Sequence, residues 1–187
     1  MKIVLASKSP RRRELLHAVY DEFDIITAEC DETLPSEISV TEGVRLLAEK
    51  KGAAAEPLCD EDSLIISSDT LVELDGVPLG KPESDEDAVK MLKGLSGKRH
   101  FVHTGVAVRY RGNCCRGTDS TAVYFKNLTD EEIINYVKGG EPRDKAGAYA
   151  IQGEGGKFVE KISGDFDTVV GLSVKLTKKL IDEVLGK

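Results

Sequence analysis

Apolar residues recur along this chain in two alternating patterns: short continuous runs, and residues spaced three or four positions apart. A short run bounded by turn residues is typical of a buried strand, and the wider spacing is typical of an amphipathic helix. Their alternation predicts an α/β or α+β domain. The runs predict strands over residues 2–6, 23–28, 64–66, 71–74, 101–110, 121–125 and 158–162. The spacing predicts helices that begin near Pro10, Thr41, Ser84, Thr129 and Ser173.

The first predicted strand runs directly into a helix whose first turn is strongly basic. Ser7 and Ser9 precede Pro10, and the three arginines Arg11–Arg13 follow. The helix dipole disfavours a cation in the first turn by roughly 0.3–1 kcal/mol, so this arrangement favours a bound anion. Hydroxyls, free helix amides and guanidiniums together describe a phosphate site. The alternative is a solvated basic helix end without a function.

Composition narrows the class of protein. The chain has 187 residues, enough for one domain with its own core, a net charge of −7 and four cysteines. The cysteines show no CxxC spacing, so neither a zinc site nor a disulfide framework is indicated, and a reduced cytoplasmic location is expected. No apolar run approaches about 20 residues, so no membrane association is expected. The acidic balance argues against stable nucleic-acid binding and leaves room for a small anion at a local basic site.

Two acidic residues lie after predicted strands. Asp69 follows the strand that ends at Ile66, and Glu32 follows the strand that ends at Ala28. Open α/β sheets bind their ligands at the carboxyl ends of strands. Two carboxylates there fit Mg²⁺, which takes its remaining ligands from water and phosphate. The alternatives are an aspartate that forms a turn and a solvated loop glutamate.

Two further segments place a cation among small residues. Lys81 lies between Gly80 and Pro82, without the spacing of a P-loop. Lys145 precedes a stretch of small residues that leads to Gln152, whose amide can both donate and accept hydrogen bonds. The alternative interpretation is that these small residues only allow close packing of the chain. The histidines show no spacing typical of metal ligands, and none is assigned a catalytic role.

Six segments in the same order resemble the Maf family of nucleotide pyrophosphatases over nearly the whole chain. They are SKSPRRREL, SSDTLVELDG, LGKP, AVKMLKGLSGKRHFVHTGVAV, DKAGAYAIQG and ISGDFDTVVGL. The resemblance implies an α/β fold similar to that of the inosine triphosphate pyrophosphatases, with a long curved mixed sheet and two lobes around a cleft. Residues 1–187 then form one domain without a separable linker, and a homodimer is expected. The implied reaction is hydrolysis of a nucleoside triphosphate to the monophosphate and pyrophosphate with a divalent cation, Mg²⁺ or Mn²⁺.

The resemblance also implies roles for individual residues. Asp69 matches the family's catalytic aspartate, and the metal positions match Glu32 and Asp69. The hydroxyl and cationic positions expected to hold the triphosphate are Ser7, Arg11, Lys51, Lys81 and Lys145. The positions similar to the subgroup that acts on dTTP and UTP are Arg12, Thr70 and Gln152. We therefore expect dTTP and UTP as substrates, with CTP or modified pyrimidine nucleotides as further candidates.

A second class of function stays open on the sequence alone. A nucleotide-sensing regulator of cell division, one that inhibits septum formation through a protein partner, would need the cations but not the two acids. The presence of both Asp69 and Glu32 favours the enzyme. Pyrophosphate release from a panel of nucleotides separates the two functions.

Overall fold

The computed structural model describes residues 1–187, which form two compact units. The first unit comprises residues 1–70, 104–119 and 171–187, and the second comprises residues 71–103 and 120–170. The strands are β1 (Lys2–Leu5), β2 (Asp24–Ile25), β3 (Ser63–Leu74), β4 (Val77–Leu79), β5 (Arg99–Tyr110), β6 (Asn113–Phe125) and β7 (Val159–Ser163). The α-helices are α1 (Pro10–Leu16), α2 (Val40–Ala55), α3 (Asp85–Leu95), α4 (Asp130–Lys138), α5 (Phe166–Val170) and α6 (Val174–Leu185). Short 3-10 helices cover Glu56–Leu58, Glu141–Asp144, Ala146–Ala148 and Glu154–Phe158.

The seven strands form one mixed sheet in the order β2-β1-β3-β5-β6-β7, with β4 paired to β3. β1 is parallel to both β2 and β3, and its last residue, Leu5, lies opposite Ile66. β4 is antiparallel to β3, and β7 is antiparallel to β6. Asp75 and Gly76, between β3 and β4, have φ values of 52° and 81°, the geometry of a type I′ hairpin turn. The predicted mixed α/β class is confirmed.

The core of the first unit lies on both faces of β1 and β3. On one face, Leu5 and Ile66 pack with Leu16 of α1. On the other face, Ile65 packs with Ala55 of α2. Successive side chains of a strand point to opposite faces, and a fully buried aliphatic side chain contributes about 1.5–3 kcal/mol. The continuous apolar run 64–66 therefore holds a helix on each face of the strand.

The second unit has a separate core around β3, β5 and β6. Its members are contributed chiefly by these strands and by α3 and α4: Val72, Leu92, Leu95, Val102, Val123, Phe125, Ile133, Tyr149 and Phe158. The Phe125 ring makes edge contacts with His100 and Tyr149 at centroid distances of 4.9 and 4.8 Å. Aromatic pairs at such distances add about 0.5–1.5 kcal/mol beyond area burial. Each unit thus has its own apolar interior.

The five longer helices begin at hydroxyl residues that cap free backbone amides. Each capping side chain accepts a hydrogen bond from the amide three residues later: Ser9, Ser39, Ser84, Thr129 and Ser173. Such a cap contributes about 1 kcal/mol. Thr129 and Glu132 form a reciprocal capping box. The helix predicted near Thr41 begins at Val40, because Ser39 supplies the cap.

Strand β3 differs most from the prediction. It runs for 12 residues without interruption, whereas the polar segment Ser67–Thr70 was expected to end one strand and separate it from the next. Ser67 and Ser68 are fully buried, and their hydroxyls donate to the carbonyls of Ala48 and Gly171 at 2.7 and 2.9 Å. A buried hydroxyl is costly only without a partner, so these bonds allow the strand to continue through the segment.

Other elements also differ from the prediction, among them β4 (Val77–Leu79), which was not predicted. β2 covers only Asp24–Ile25, and the short helix α5 was not predicted. β6 begins at Asn113 rather than at residue 121. Its early part lacks an apolar run but lies close to α6, since a Cβ on Gly117 would lie 2.9 Å from Cδ1 of Leu176. No helix is long and apolar enough to cross a membrane.

Candidate active site

The segment between β1 and α1 forms one side of the candidate site. Ser7 is buried just past the end of β1, and its Oγ accepts a hydrogen bond from the backbone N–H of Ser9 at 3.2 Å. Pro10 occupies the first turn of α1 as predicted, and Ser9 caps the helix. Arg11 lies in the same turn and is half-buried. The turn contains no acidic residue, so its positive end is uncompensated by the helix itself.

Arg12 is held by the protein on all three of its nitrogens. Its Nε donates to the carbonyl of Gly171 at 2.9 Å, Nη1 to Oγ of Ser7 at 3.4 Å, and Nη2 to Oγ1 of Thr70 at 3.3 Å. Burial lowers the pKa of Arg12, and the nearby carboxylate of Asp69 opposes that shift. A guanidinium keeps its charge under such conditions, so Arg12 presents a fixed positive charge. The structure brings Arg12 and Thr70 together.

Asp69 lies inside β3 rather than after it, which corrects the sequence-based placement. It nevertheless lies beyond Ile66, where parallel pairing with β1 ends. The expected ligand-binding edge is therefore formed by the end of β1, because β3 extends past its shorter neighbour. Ser67 is on the same face of β3 as Asp69, and its Oγ donates to the carbonyl of Ala48 in α2. This face of β3 therefore points towards α2.

Lys51 of α2 links the two predicted carboxylates. A Cβ on the next residue, Gly52, would lie 2.6 Å from Oγ of Ser67, so the glycine allows α2 to approach β3 closely. Lys51 Nζ donates to Oδ1 of Asp69 and lies 3.3 Å from Oε1 of Glu32. The side chains of Asp69, Lys51 and Glu32 are 11%, 21% and 59% exposed. One ammonium is thus shared by a buried and an exposed carboxylate.

The paired carboxylates fit a hard divalent cation. Their oxygens converge on a single positive group, and Mg²⁺ binds through one or two carboxylates, with water and phosphate completing its coordination. The structure contains no group of three or more His, Cys, Asp and Glu side chains that could hold a metal ion. A metal site here therefore depends on Glu32 and Asp69 and on ligands from water or substrate.

Three predicted residues belong to the second unit. Lys81 is exposed after β4, and Lys145 is partly buried and forms an ion pair with Asp144. The segments around these lysines are adjacent, because the N–H of Gly147 donates to the carbonyl of Gly80 at 3.0 Å. Gly147 has a φ of 68°, and a Cβ there would lie 2.9 Å from Val72. Glycine at this position therefore lets the second segment pack against β3.

Gln152, the third of these residues, lies exposed in a turn that is closed by a hydrogen bond from the N–H of Gly153 to the carbonyl of Ala150. Two side chains that sequence reasoning missed support this turn. Tyr136 accepts from the N–H of Ala150 at 3.3 Å and donates to Glu141 at 2.6 Å.

Glu141 accepts from the N–H groups of Glu154 and Gly155 at 3.1 and 3.0 Å. Burial, with help from Glu141, raises the pKa of Tyr136 above its usual range, so its hydroxyl stays protonated and remains a donor. No local sequence signal identifies Tyr136 and Glu141 as supports of the turn, because the groups that they bind there are main-chain amides.

Three residues around Arg12 were also missed by the sequence reasoning. Gly171 supplies the carbonyl that Arg12 and Ser68 share, and Thr104 lies 2.9 Å from Thr70 between their Oγ1 atoms. Gly171 appears in a recognised motif, and Ser68 is in the segment that contains Asp69. Thr104 also lies in a recognised motif, but its contact with Thr70 could not be predicted, because a contact across neighbouring strands depends on their register.

Comparison with known proteins finds similarity over the whole chain. Residues 2–184 match the family model described as Maf-like protein. A dTTP/UTP pyrophosphatase of Bdellovibrio bacteriovorus is 41% identical over 187 residues, which cover 97% of each chain. A dTTP/UTP pyrophosphatase of Caldicellulosiruptor saccharolyticus is 47% identical over 178 residues, which cover 91% of this chain and 88% of the relative. Among solved structures, the Staphylococcus aureus Ham1 protein has a TM-score of 0.55 at 18% identity over 98% of this chain and 99% of its own, a likeness of fold.

Proposed function

Because the chain belongs to the Maf-like protein family, we infer that it is a nucleoside triphosphate pyrophosphatase that hydrolyses dTTP and UTP. The similarity to relatives of that name extends over nearly the full chain. The products are the nucleoside monophosphate and pyrophosphate. The enzyme is a hydrolase of nucleotide metabolism.

The observation that carries this function is the cluster of Asp69, Lys51 and Glu32 beside the fixed guanidinium of Arg12. Hydrolysis of a phosphoanhydride needs a positioned water and positive groups where negative charge develops. Asp69 is buried, next in sequence to a residue that Arg12 binds, and close enough to Arg12 to oppose its loss of charge. Carboxylate and cations are therefore available at one place.

We propose the following roles in the reaction. Asp69 orients the water that attacks the α-phosphorus and accepts its proton. The bond from that phosphorus to the bridging oxygen breaks, and pyrophosphate leaves with the electron pair. Stabilisation of the triphosphate and the departing pyrophosphate is assigned to Ser7, Arg11, Lys51, Lys81 and Lys145.

A divalent cation, Mg²⁺ or Mn²⁺, is part of the proposal. Glu32 and Asp69 are the residues that would hold it, and the cation would neutralise charge on the phosphate oxygens. Lys51 bridges these two carboxylates, so it compensates one of their two negative charges and leaves the other for a cation. The hard oxygen donors of this pair match either ion.

Base selection is proposed to depend on Arg12, Thr70 and Gln152. The Gln152 amide can donate to a carbonyl of uracil or thymine and accept from the ring N–H. Tyr136 and Glu141 anchor the main chain of the turn from which this side chain projects. A site built around such bonds discriminates strongly, since a wrong base leaves buried polar groups unpaired. CTP and modified pyrimidine nucleotides are further candidate substrates.

We also propose a homodimeric, cytoplasmic enzyme without stable nucleic-acid binding. The four free cysteines agree with a reducing compartment, and the net charge of −7 opposes polyanion binding. Homodimerisation follows from the family resemblance. Light scattering coupled to size-exclusion chromatography measures it directly, and a monomer mass at micromolar concentration would contradict it.

The test of function is pyrophosphate release from dTTP, UTP, CTP, ATP and GTP, each with Mg²⁺, with Mn²⁺ and with excess chelator. We expect the highest kcat/KM for dTTP and UTP and loss of activity with chelator. Equal turnover of purine triphosphates would refute the base assignment alone. Tight nucleotide binding without turnover under any metal condition would refute the enzyme and favour the regulatory alternative.

A further inference from the structure

A buried threonine on β5 supports the hydroxyl that Arg12 binds. Thr104 is fully buried, and its Oγ1 lies 2.9 Å from Oγ1 of Thr70 on the neighbouring strand β3. The Thr70 hydroxyl also accepts from Nη2 of Arg12 at 3.3 Å. Thr70 is therefore fixed from two directions, by a guanidinium from α1 and by a hydroxyl from β5.

The hydrogen-bond partners of Thr70 decide whether its hydroxyl can donate to a ligand. A threonine hydroxyl has one proton and two acceptor lone pairs. Arg12 can only donate, so it uses one lone pair of Thr70. When Thr104 donates into the second lone pair, the proton of Thr70 is free to be given to a ligand. Thr104 is thereby able to make Thr70 a hydrogen-bond donor.

A second buried hydroxyl supports the other end of the guanidinium. Ser68 is fully buried, and its Oγ donates to the Gly171 carbonyl at 2.9 Å. The same carbonyl accepts from Nε of Arg12 at 2.9 Å. Gly171 has a φ of 130°, a conformation that L side chains rarely adopt. The carbonyl that orients Arg12 is therefore itself held in place by Ser68.

We propose that Thr104 and Ser68 are positioning residues that set the preference for pyrimidine over purine triphosphates. Thr104 acts through the hydroxyl of Thr70, and Ser68 acts through the Gly171 carbonyl on Arg12. Neither residue is assigned a contact with substrate. The inference rests on the proposed function in one respect, that Arg12 and Thr70 take part in base selection.

The experiment compares dTTP with dGTP for three variants and a control. Thr104→Val and Ser68→Ala remove the hydroxyls, and Thr104→Ser retains the hydroxyl on a smaller side chain. The control is Thr177→Val, because Thr177 is also fully buried and its hydroxyl donates to a main-chain carbonyl, that of Ser173, at 2.7 Å. Thermal unfolding is recorded for every variant.

We expect Thr104→Val and Ser68→Ala to lower the ratio of kcat/KM for dTTP to that for dGTP by roughly 5–30-fold, the scale of one hydrogen bond. The change falls mainly in KM for dTTP, since the hydroxyls orient binding groups and do not touch the reacting phosphorus. Thr104→Ser keeps the ratio within about threefold of the parent protein. Thr177→Val leaves the ratio unchanged despite its loss of stability.

The inference is overturned if the ratio is unchanged in folded Thr104→Val, or if Thr177→Val lowers it equally. If Thr104→Val does not fold, Ser68→Ala and Thr104→Ser decide in the same way: the ratio must fall in the first and persist in the second.

A parent protein without turnover would refute the proposed function instead. In that case, calorimetry with the α,β-methylene analogues of dTTP and dGTP measures the preference as a ratio of two binding constants. The same directions of change support or overturn the positioning roles.

Discussion

Replacing Asp69 with asparagine tests the proposed chemistry with little change in shape. The substitution retains an oxygen that can accept a hydrogen bond from Lys51. It removes the negative charge that pairs with Lys51 and that would take up the proton of the attacking water. Loss of a group that takes up a proton lowers turnover by at least about 100-fold. We therefore expect kcat for dTTP to fall by about 100-fold or more.

The accompanying loss of stability is small enough to be separated from the loss of turnover. Asp69 is nearly buried and its ion pair with Lys51 is partly screened, so removal of the charge costs about 1–2 kcal/mol. For a chain of this length that is a drop in Tm of roughly 2–8 °C. With a starting stability of about 5 kcal/mol or more, over 99% of the variant stays folded at 25 °C. Unfolding then accounts for none of a 100-fold effect.

The matched control is Glu56→Gln, which removes one charge from another ion pair of the first unit. Glu56 accepts from Nε and Nη2 of Arg109 at 3.1 and 2.7 Å, and the two side chains are 37% and 15% exposed. We expect this control to show a similar decrease in Tm and normal pyrophosphate release. Near-normal turnover in folded Asp69→Asn, measured by continuous pyrophosphate detection at saturating dTTP, would refute the assigned role.

Three further predictions concern phosphate binding, the supported turn and pH. Arg11→Ala should lower kcat/KM for dTTP by about tenfold or more, as expected for loss of a charge-assisted bond. Arg13 is exposed in the same helix, and Arg13→Ala should change kcat/KM less than twofold. Equal effects of the two substitutions would refute a phosphate role for Arg11. Tyr136→Phe should destabilise the protein by about 1–3 kcal/mol in urea unfolding, because Glu141 and the Ala150 amide lose a partner, and an unchanged midpoint would refute that. Burial lowers the pKa of His100 from 6.5 to about 4, so the unfolded chain takes up a proton first as pH falls. Stability should drop by about 2 kcal/mol between pH 7 and 5 from this group, and His100→Gln should remove that part of the slope, while an identical slope would refute the assignment.

Much of the local structure is determined by the sequence itself. The basic first turn of α1 follows from the Ser-Pro start that caps it, and the turn at Asp75 and Gly76 follows from residues that tolerate positive φ. Thr129 and Glu132 begin α4 by a reciprocal cap. These features depend on interactions between residues that are close in sequence, so the sequence alone is enough to predict them. The motif order likewise identifies the family, because each motif is a local pattern.

The length of β3 could not be derived from local pattern. Ser67 to Thr70 have the composition of a turn, and they remain in the strand because distant carbonyls accept from Ser67 and Ser68. Which main-chain groups are available there depends on how α2 and the segment at Gly171 pack. A propensity estimate has no information about such partners, so the predicted interruption was wrong.

The sequence by itself determined which chemical groups the candidate site contains, and only the tertiary structure decided which of them act together. Asp69, Lys51 and Glu32 meet because Gly52 lets α2 approach β3. Arg12 is oriented by the carbonyl of Gly171, 159 residues away along the chain. Such pairings follow from strand register and helix packing, which are properties of the whole buried interior, and no spacing in the sequence encodes them.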